Sequence, residues 1–433
     1  MAKKRTATRK HKRAVSPASP SVRHSLVSIA GTAAAMQLAA WYAIWEVFGD
    51  LHISYRFFEL SDITDPYYPY AVNIARGMAA YRDFFIEYPP LFVPLLLLGG
   101  NPAQQPRFVA QFAMIMALFM VAAGVVCAVA AADGTSISRP YIVGALFALF
   151  VLLLGPISAN RYDAAVALVL AVALLFMMRQ NWTAASVALG LGFALKITPA
   201  ILLPIVLVLA PPRRAVRALV GFGVAAVVPF VWVLSLGGSS GAALGRMLGY
   251  HLSRPLEIES VLAAPLWVAR LAGLPIKVGL GAGSQVIESG LANAIASASA
   301  LVLLAALGAT FSLVWRRRET ILAEPRLIAL AALATILGSL VGSKVLSPQY
   351  FVWIVPAVAL VAINRKVLGA TVGVAEALTQ LLFPANYFAL SGHQLTGPIL
   401  IVIVRNLLVV AAFALSLRHL WKLPVSGPLE RPA

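Results

Sequence analysis

The sequence predicts an all-α polytopic membrane protein of roughly a dozen transmembrane helices, with interfacial helices in its outer loops. Three observations lead there. Apolar residues make up 61% of the 433 and charged residues only 12%, and the mean hydropathy is +0.87. A water-soluble domain of this size could not cover that much apolar surface. Apolar stretches such as 25–48, 109–131 and 292–315 reach the ~20 residues that a helix needs to cross a bilayer core. The cations cluster at the ends of alternate apolar segments, which is the charge pattern of a multispanning chain. Strand-like alternation is absent, which argues against a barrel.

The chain opens MAKKRTATRKHKR and passes through Ser and Pro into a long apolar run. That run is too long for a cleaved leader and lacks a small-residue cleavage site, so it reads as a signal anchor. Residues 1–24 form a basic, disordered cytoplasmic arm suited to an anionic leaflet. Nucleic acid is not the expected partner, because the arm abuts a membrane anchor.

A single transmembrane domain follows over 25–420, with a short cytoplasmic tail at 421–433. Its crossings fall at 25–48, 107–131, 140–156, 162–178, 182–195, 198–211, 216–237, 290–315, 327–343, 350–363, 367–384 and 396–418. With the N-terminus inside, the cytoplasmic segments hold Arg213-Arg214, Arg316-Arg317-Arg318 and Arg365-Lys366. The inner segments then carry twice the Lys and Arg of the outer ones and far fewer Asp and Glu. The formal charge of +18 is therefore a topology signal, and both termini are expected inside. Leu91–Leu98 is apolar but too short to span, and reads as a dipping or interfacial segment between Pro89-Pro90 and Gly99-Gly100. A full crossing there would place the arginine triplet outside. The single Cys127 excludes an internal disulfide and a cysteine metal site.

Two outer loops are long, about 49–106 and 238–289. Charges near hydrocarbon cost several kcal/mol unless paired or hydrated, so function is expected among the outer ionisable residues. In the first loop Tyr67, Tyr70, Ala71, Ile74, Met78 and Tyr81 fall at helical spacing, which predicts a helix lying in the interface. Asp62 and Asp65 precede it, and Arg82, Asp83, Glu87 and Tyr88 follow. Carboxylates at a lipid–water boundary suit general-base work, although helix capping explains them equally well. The second loop offers His251, Arg254, Glu257 and Glu259, and short turns add Asn160, Arg161, Asp163, Lys196 and Lys344. Lys196 and Lys344 alone are compatible with snorkelling, and Arg161 with Asp163 as a local pair. Together these cations suit a phosphate-bearing ligand. Neither a P-loop, HExxH, CxxC, a complete GxGxxG nor an Asp-x-Asp pair is present. No cofactor or metal is therefore expected.

The segments SDITDPYYPYA, YRDF and EYPPL after the first helix resemble the first outer loop of glycosyltransferase family 87. RYDAAVALVLAVALLF, ALKITPAILLP, YHLSRPLEIES and SPQYFVW resemble later parts of that family, in order, across most of 25–420. The resemblance implies a C-type glycosyltransferase architecture in a bacterial inner membrane, with the active site on the outer face. It implies transfer of a sugar, mannose before others, from a polyprenyl-phosphate donor to a hydroxyl of a lipid or glycan acceptor, with inversion. It also implies Asp62 as catalytic base, since Asp62 matches the acidic position just after the first helix. Lys196, Arg254, Arg161, Arg82 and His251 are then expected around the donor phosphate. Asp65, Tyr67, Tyr81, Glu87, Tyr88, Glu259 and Lys344 are the further substrate-binding candidates, with anchoring the simpler reading of the tyrosines. A transporter or flippase of lipid-linked glycans is the rival reading. It calls for mid-membrane charges, for which Arg405 and Glu376 are the candidates, and for repeated halves, which the sequence does not show.

Overall fold

The structure, a computed structural model, describes residues 20–49, 61–132, 136–236 and 241–425. Most of the basic arm expected over 1–24, the start of the first outer loop at 50–60 and the tail beyond 425 lie outside the described residues. The helices of the first half are α1 (Pro20–Gly49), α2 (Tyr68–Ala75), α3 (Phe92–Leu97), α4 (Gln105–Ala130), α5 (Arg139–Leu154), α6 (Asp163–Met178), α7 (Trp182–Leu195), α8 (Leu203–Leu209) and α9 (Pro212–Leu236). The second half contains α10 (Gly241–Ser253), α11 (Ala264–Leu271), a hairpin of β1 (Val278–Gly281) and β2 (Ser284–Ile287), α12 (Gly290–Arg316), α13 (Arg318–Ala323), α14 (Leu327–Val341), α15 (Val355–Ala362), α16 (Lys366–Leu382), α17 (Tyr387–Ser391) and α18 (Thr396–Trp421).

Each segment anticipated as a crossing contains a helix. Among the described residues, α1, α4, α5 with its following turn, α9, α12 and α18 are long and apolar enough to cross a membrane. The helices α6, α7 and α14 are apolar but shorter. At 16 residues, α6 spans ~24 Å, less than the ~30 Å of a bilayer core. All three stop where the chain turns into irregular segments that each carry one cation: Gly155–Tyr162 with Arg161 before α6, Lys196–Leu202 with Lys196 after α7, and Gly342–Trp353 with Lys344 after α14.

Helices α6, α14 and α15 are the interior. Every residue of α15 is buried, as is nearly every residue of α14. The periphery is apolar too. Leu219, Val220, Val227 and Val231 on α9, with Leu301 and Leu304 on α12, are more than half exposed, which is the surface of a protein bathed in lipid. Small residues bring helices together: a Cβ on Gly190 would lie 2.5 Å from the Phe222 carbonyl oxygen, so α7 meets α9 backbone to backbone.

The two outer loops depart from expectation. The interfacial helix does not run from Tyr67 to Tyr81. Tyr67 closes a preceding turn, Ile63–Tyr67, and α2 ends at Ala75. Gly77 at φ +82° and Tyr81 at φ +67° then take left-handed conformations that no continuing helix accommodates. Leu91–Leu98 forms only the six-residue α3, tied to the end of α7 by Leu91 N donating to the Ala194 carbonyl at 2.9 Å. The second loop contains the hairpin, which hydropathy alone did not indicate. Its strands are four residues each, joined by Ala282 and Gly283 at positive φ.

Candidate active site

Many of the ionisable residues of the two long loops and the short turns meet around one cavity of about 510 Å³, well within the ~300–1,000 Å³ of small-molecule sites. Asp62, Asp65, Glu87 and Tyr88 enter from the first outer loop, and Arg161 and Tyr162 from the turn before α6. Lys196 enters after α7, His251 and Arg254 from the end of α10, and Glu257 and Glu259 beyond it. The hairpin tip and the Ser343–Tyr350 segment close the remaining sides.

Asp62 is held from behind. Arg161 Nε lies 2.9 Å from Asp62 Oδ2, with 24% of the carboxylate side chain exposed and 8% of the arginine. Ser61 locks the two turns together, donating from Oγ to the Asn160 carbonyl at 2.8 Å. Arg161 is thereby spent on orienting Asp62. A second pair sits one turn away. Lys196 Nζ lies 2.7 Å from Asp163 Oδ1, and Trp353 Nε1 donates to the same oxygen at 2.6 Å. The ammonium is 4.7, 4.9 and 5.4 Å from the ring centroids of Tyr162, Trp353 and Tyr350. Burial lowers the Lys196 pKa below its ordinary value, with Asp163 opposing.

Arg254 differs from both of these cations. Its Nη2 donates to Ser284 Oγ at 3.0 Å, and among the described residues it forms no ion pair. The two acids beyond it are structural in their contacts. Glu257 accepts from the Leu346 amide at 2.7 Å and from Ser347 Oγ at 2.9 Å, clamping the second loop to the segment after α14. The Glu259 carbonyl accepts from Arg405 Nη2 at 2.6 Å, and its carboxylate is 3.9 Å from Arg405 Nη1. Burial raises the pKa of both carboxyls. Arg405, a mid-membrane candidate by sequence, is fully buried and turned to this loop.

Glu87 accepts from the Tyr70 hydroxyl at 2.5 Å, and burial raises its pKa against that hydrogen bond. His251 lies 2.9 Å from the Glu87 carbonyl through Nε2. Since a carbonyl only accepts, Nε2 carries the proton; burial lowers the imidazole pKa and favours this neutral form.

Four candidates fall elsewhere. Arg82 is half exposed and paired with its neighbour Asp83 at 2.8 Å, outside the cavity lining. Tyr67 is fully buried in a ring cluster with Tyr88, Phe92, Phe112 and Tyr162. Tyr81 donates to the Tyr88 carbonyl at 2.7 Å, and Lys344 Nζ to the Leu252 carbonyl at 2.6 Å, so each braces a loop. Conversely, the sequence did not single out Tyr162, Tyr350 or Trp353. Their signal, aromatics beside outer turns, is shared with ordinary membrane anchoring. Among the described residues no group of three or more His, Cys, Asp or Glu is arranged to hold a metal ion.

Long apolar helices around a cavity lined by carboxylates and cations define an integral-membrane protein with a polar site among its helix ends. Residues 85–348 match the model of glycosyltransferase family 87, and the chain belongs to that family. It is a membrane glycosyltransferase. The match begins beyond Asp62 and Asp65 and includes Glu87, Arg161, Asp163, Lys196, His251, Arg254 and Glu259. No curated protein matches the chain.

Proposed function

We propose that the protein transfers a sugar, mannose most readily, from a polyprenyl-phosphate donor to a hydroxyl of a lipid or glycan acceptor, with inversion. The carrying observation is that Asp62 and Arg254, which forms no ion pair among the described residues, line the same cavity. In a single in-line displacement the acceptor oxygen attacks the anomeric carbon while the bond from that carbon to the phosphate oxygen breaks. The bonding pair leaves with the phosphate, and the hydroxyl proton passes to Asp62. Arg161 holds Oδ2, so Oδ1 is the oxygen assigned to the proton. A phosphate leaving group needs stabilisation of its growing negative charge, which Arg254 and the ammonium of Lys196 supply. Asp65, Glu87 and Tyr88 line the remaining wall and are assigned to the sugar hydroxyls and the acceptor, with the buried Glu259 bracing that wall through Arg405. The cavity is too small to hold the polyprenyl tail as well, so the tail lies between helices and reaches the site from the bilayer.

In this reading about twelve segments cross a bacterial inner membrane, with both termini in the cytoplasm and the cavity at the outer face. The short helices support it. Irregular backbone at membrane depth is stable only where protein or a hydrated cavity satisfies it, and α6, α7 and α14 stop at the cavity lining. The test is to incubate the purified protein with a panel of polyprenyl-phosphate sugars and follow donor consumption. Turnover of one or more members is expected. Use of nucleotide sugars, with every lipid donor left intact, overturns the reading.

A further inference from the structure

The far end of the bundle holds a second, smaller cavity of about 340 Å³ where α12 and α18 finish together. It lies ~20 Å along the α12 axis from Leu303, which lines the active-site cavity. Arg316, Arg317, Arg318 and Glu319 line it, with Trp315 and Trp421 at its rim. Among the described residues none of the three arginines forms an ion pair, and Arg316 is exposed with no protein partner. Arg317 donates from Nη2 to the Trp421 carbonyl at 2.8 Å, joining the two helix ends, while its buried Nε has no hydrogen-bond partner among the described residues. The Arg318 guanidinium lies 4.6 Å from the Trp315 ring centroid, which aims it along the rim. Against one acid, the cavity is left with an excess of positive charge.

Its height gives the ligand. Both helices are apolar enough to span a membrane. Their terminal tryptophans are 57% and 59% exposed, as interfacial anchors at headgroup level are. Guanidinium groups with unused donors at that level suit a phosphate diester, and the exposed face of α12 offers Leu301 and Leu304 to acyl chains. We propose that this cavity binds the phosphate headgroup of an anionic phospholipid, at a site separate from the catalytic one.

Native mass spectrometry of the full-length protein, titrated with phosphatidylglycerol or phosphatidylcholine, tests this. Phosphatidylglycerol is expected to bind at least about tenfold more tightly, the scale of a lost charge-assisted hydrogen bond. The preference should collapse in R316Q/R318Q and survive within about twofold in R213Q/R214Q, which removes equal charge from the exposed start of α9. Arg316→Gln alone breaks no contact within the protein and should still weaken phosphatidylglycerol binding several-fold. Equal binding of both lipids overturns the proposal, as does a preference unchanged by the arginine variants. Displacement of the lipid by inorganic phosphate at matched concentration also overturns it, since the site would then be one for free phosphate. Donor turnover, which reports on the Asp62 cavity, is read separately in each variant.

Discussion

Two carboxylate–cation pairs stand side by side in the active-site cavity, and they are built as opposites. In Asp62–Arg161 the carboxylate is the open member, 24% exposed against 8%. In Asp163–Lys196 the ammonium is open, 15% exposed against 2%, and the carboxylate is closed off by Lys196 and Trp353. The same chemical pair thus presents an anion in one place and a cation in the other. Whichever partner is buried serves to position the one that faces the cavity. In the proposed reaction the first arrangement serves the base and the second the donor phosphate.

The sharpest break is expected at Asp62. Asp62→Asn keeps the shape and a contact for Arg161 but cannot take a proton. Turnover should fall roughly a hundred- to ten-thousand-fold, while the melting temperature, read separately, drops because Arg161 loses its counter-charge but the protein stays folded. Near-normal turnover would remove Asp62 from the base role. Asp163→Asn should act through stability instead, because it leaves Lys196 buried without its counter-charge, a loss of about 3–5 kcal/mol. Adding Lys196→Met should recover much of the melting temperature while leaving donor KM high. Recovery of both would mean that Lys196 does not meet the donor.

A smaller effect concerns pH. Burial lowers the Lys196 pKa below the ordinary 10.5, so this cation loses its proton at lower pH than a free lysine does. Donor KM should therefore climb on the alkaline side below pH 10.5, and the climb should move to higher pH in Lys196→Arg, whose guanidinium keeps its charge. The smallest change is expected at Arg82, whose exposed pair with Asp83 lies outside the cavity. Arg82→Ala should alter turnover less than about twofold. A tenfold loss would extend the site beyond the cavity.

Much of the candidate site was legible as a set of residue types on one side of the chain, and the structure gathers Asp62, Asp65, Glu87, Arg161, Lys196, His251 and Arg254 around one space. The pairings were not legible. Arg161 and Asp163 looked like a local pair, yet the start of α6 turns them apart. Arg161 reaches back to Asp62 and Asp163 across to Lys196. Arg82 looked equivalent to Arg161, but its neighbour Asp83 satisfies it locally. The hairpin escaped because four-residue strands leave almost no periodic signal, while its Ala282-Gly283 turn holds Ser284 against Arg254.

Hydropathy is a property of each segment on its own. The sequence therefore determined by itself that this chain is a bundle of apolar helices. Which ionisable groups share a cavity, and which member of each pair is left open, was decided only by tertiary packing. Those contacts join residues 99 and 190 positions apart, as between Ser61 and Asn160 or Asp163 and Trp353, and short-range pattern carries no record of them.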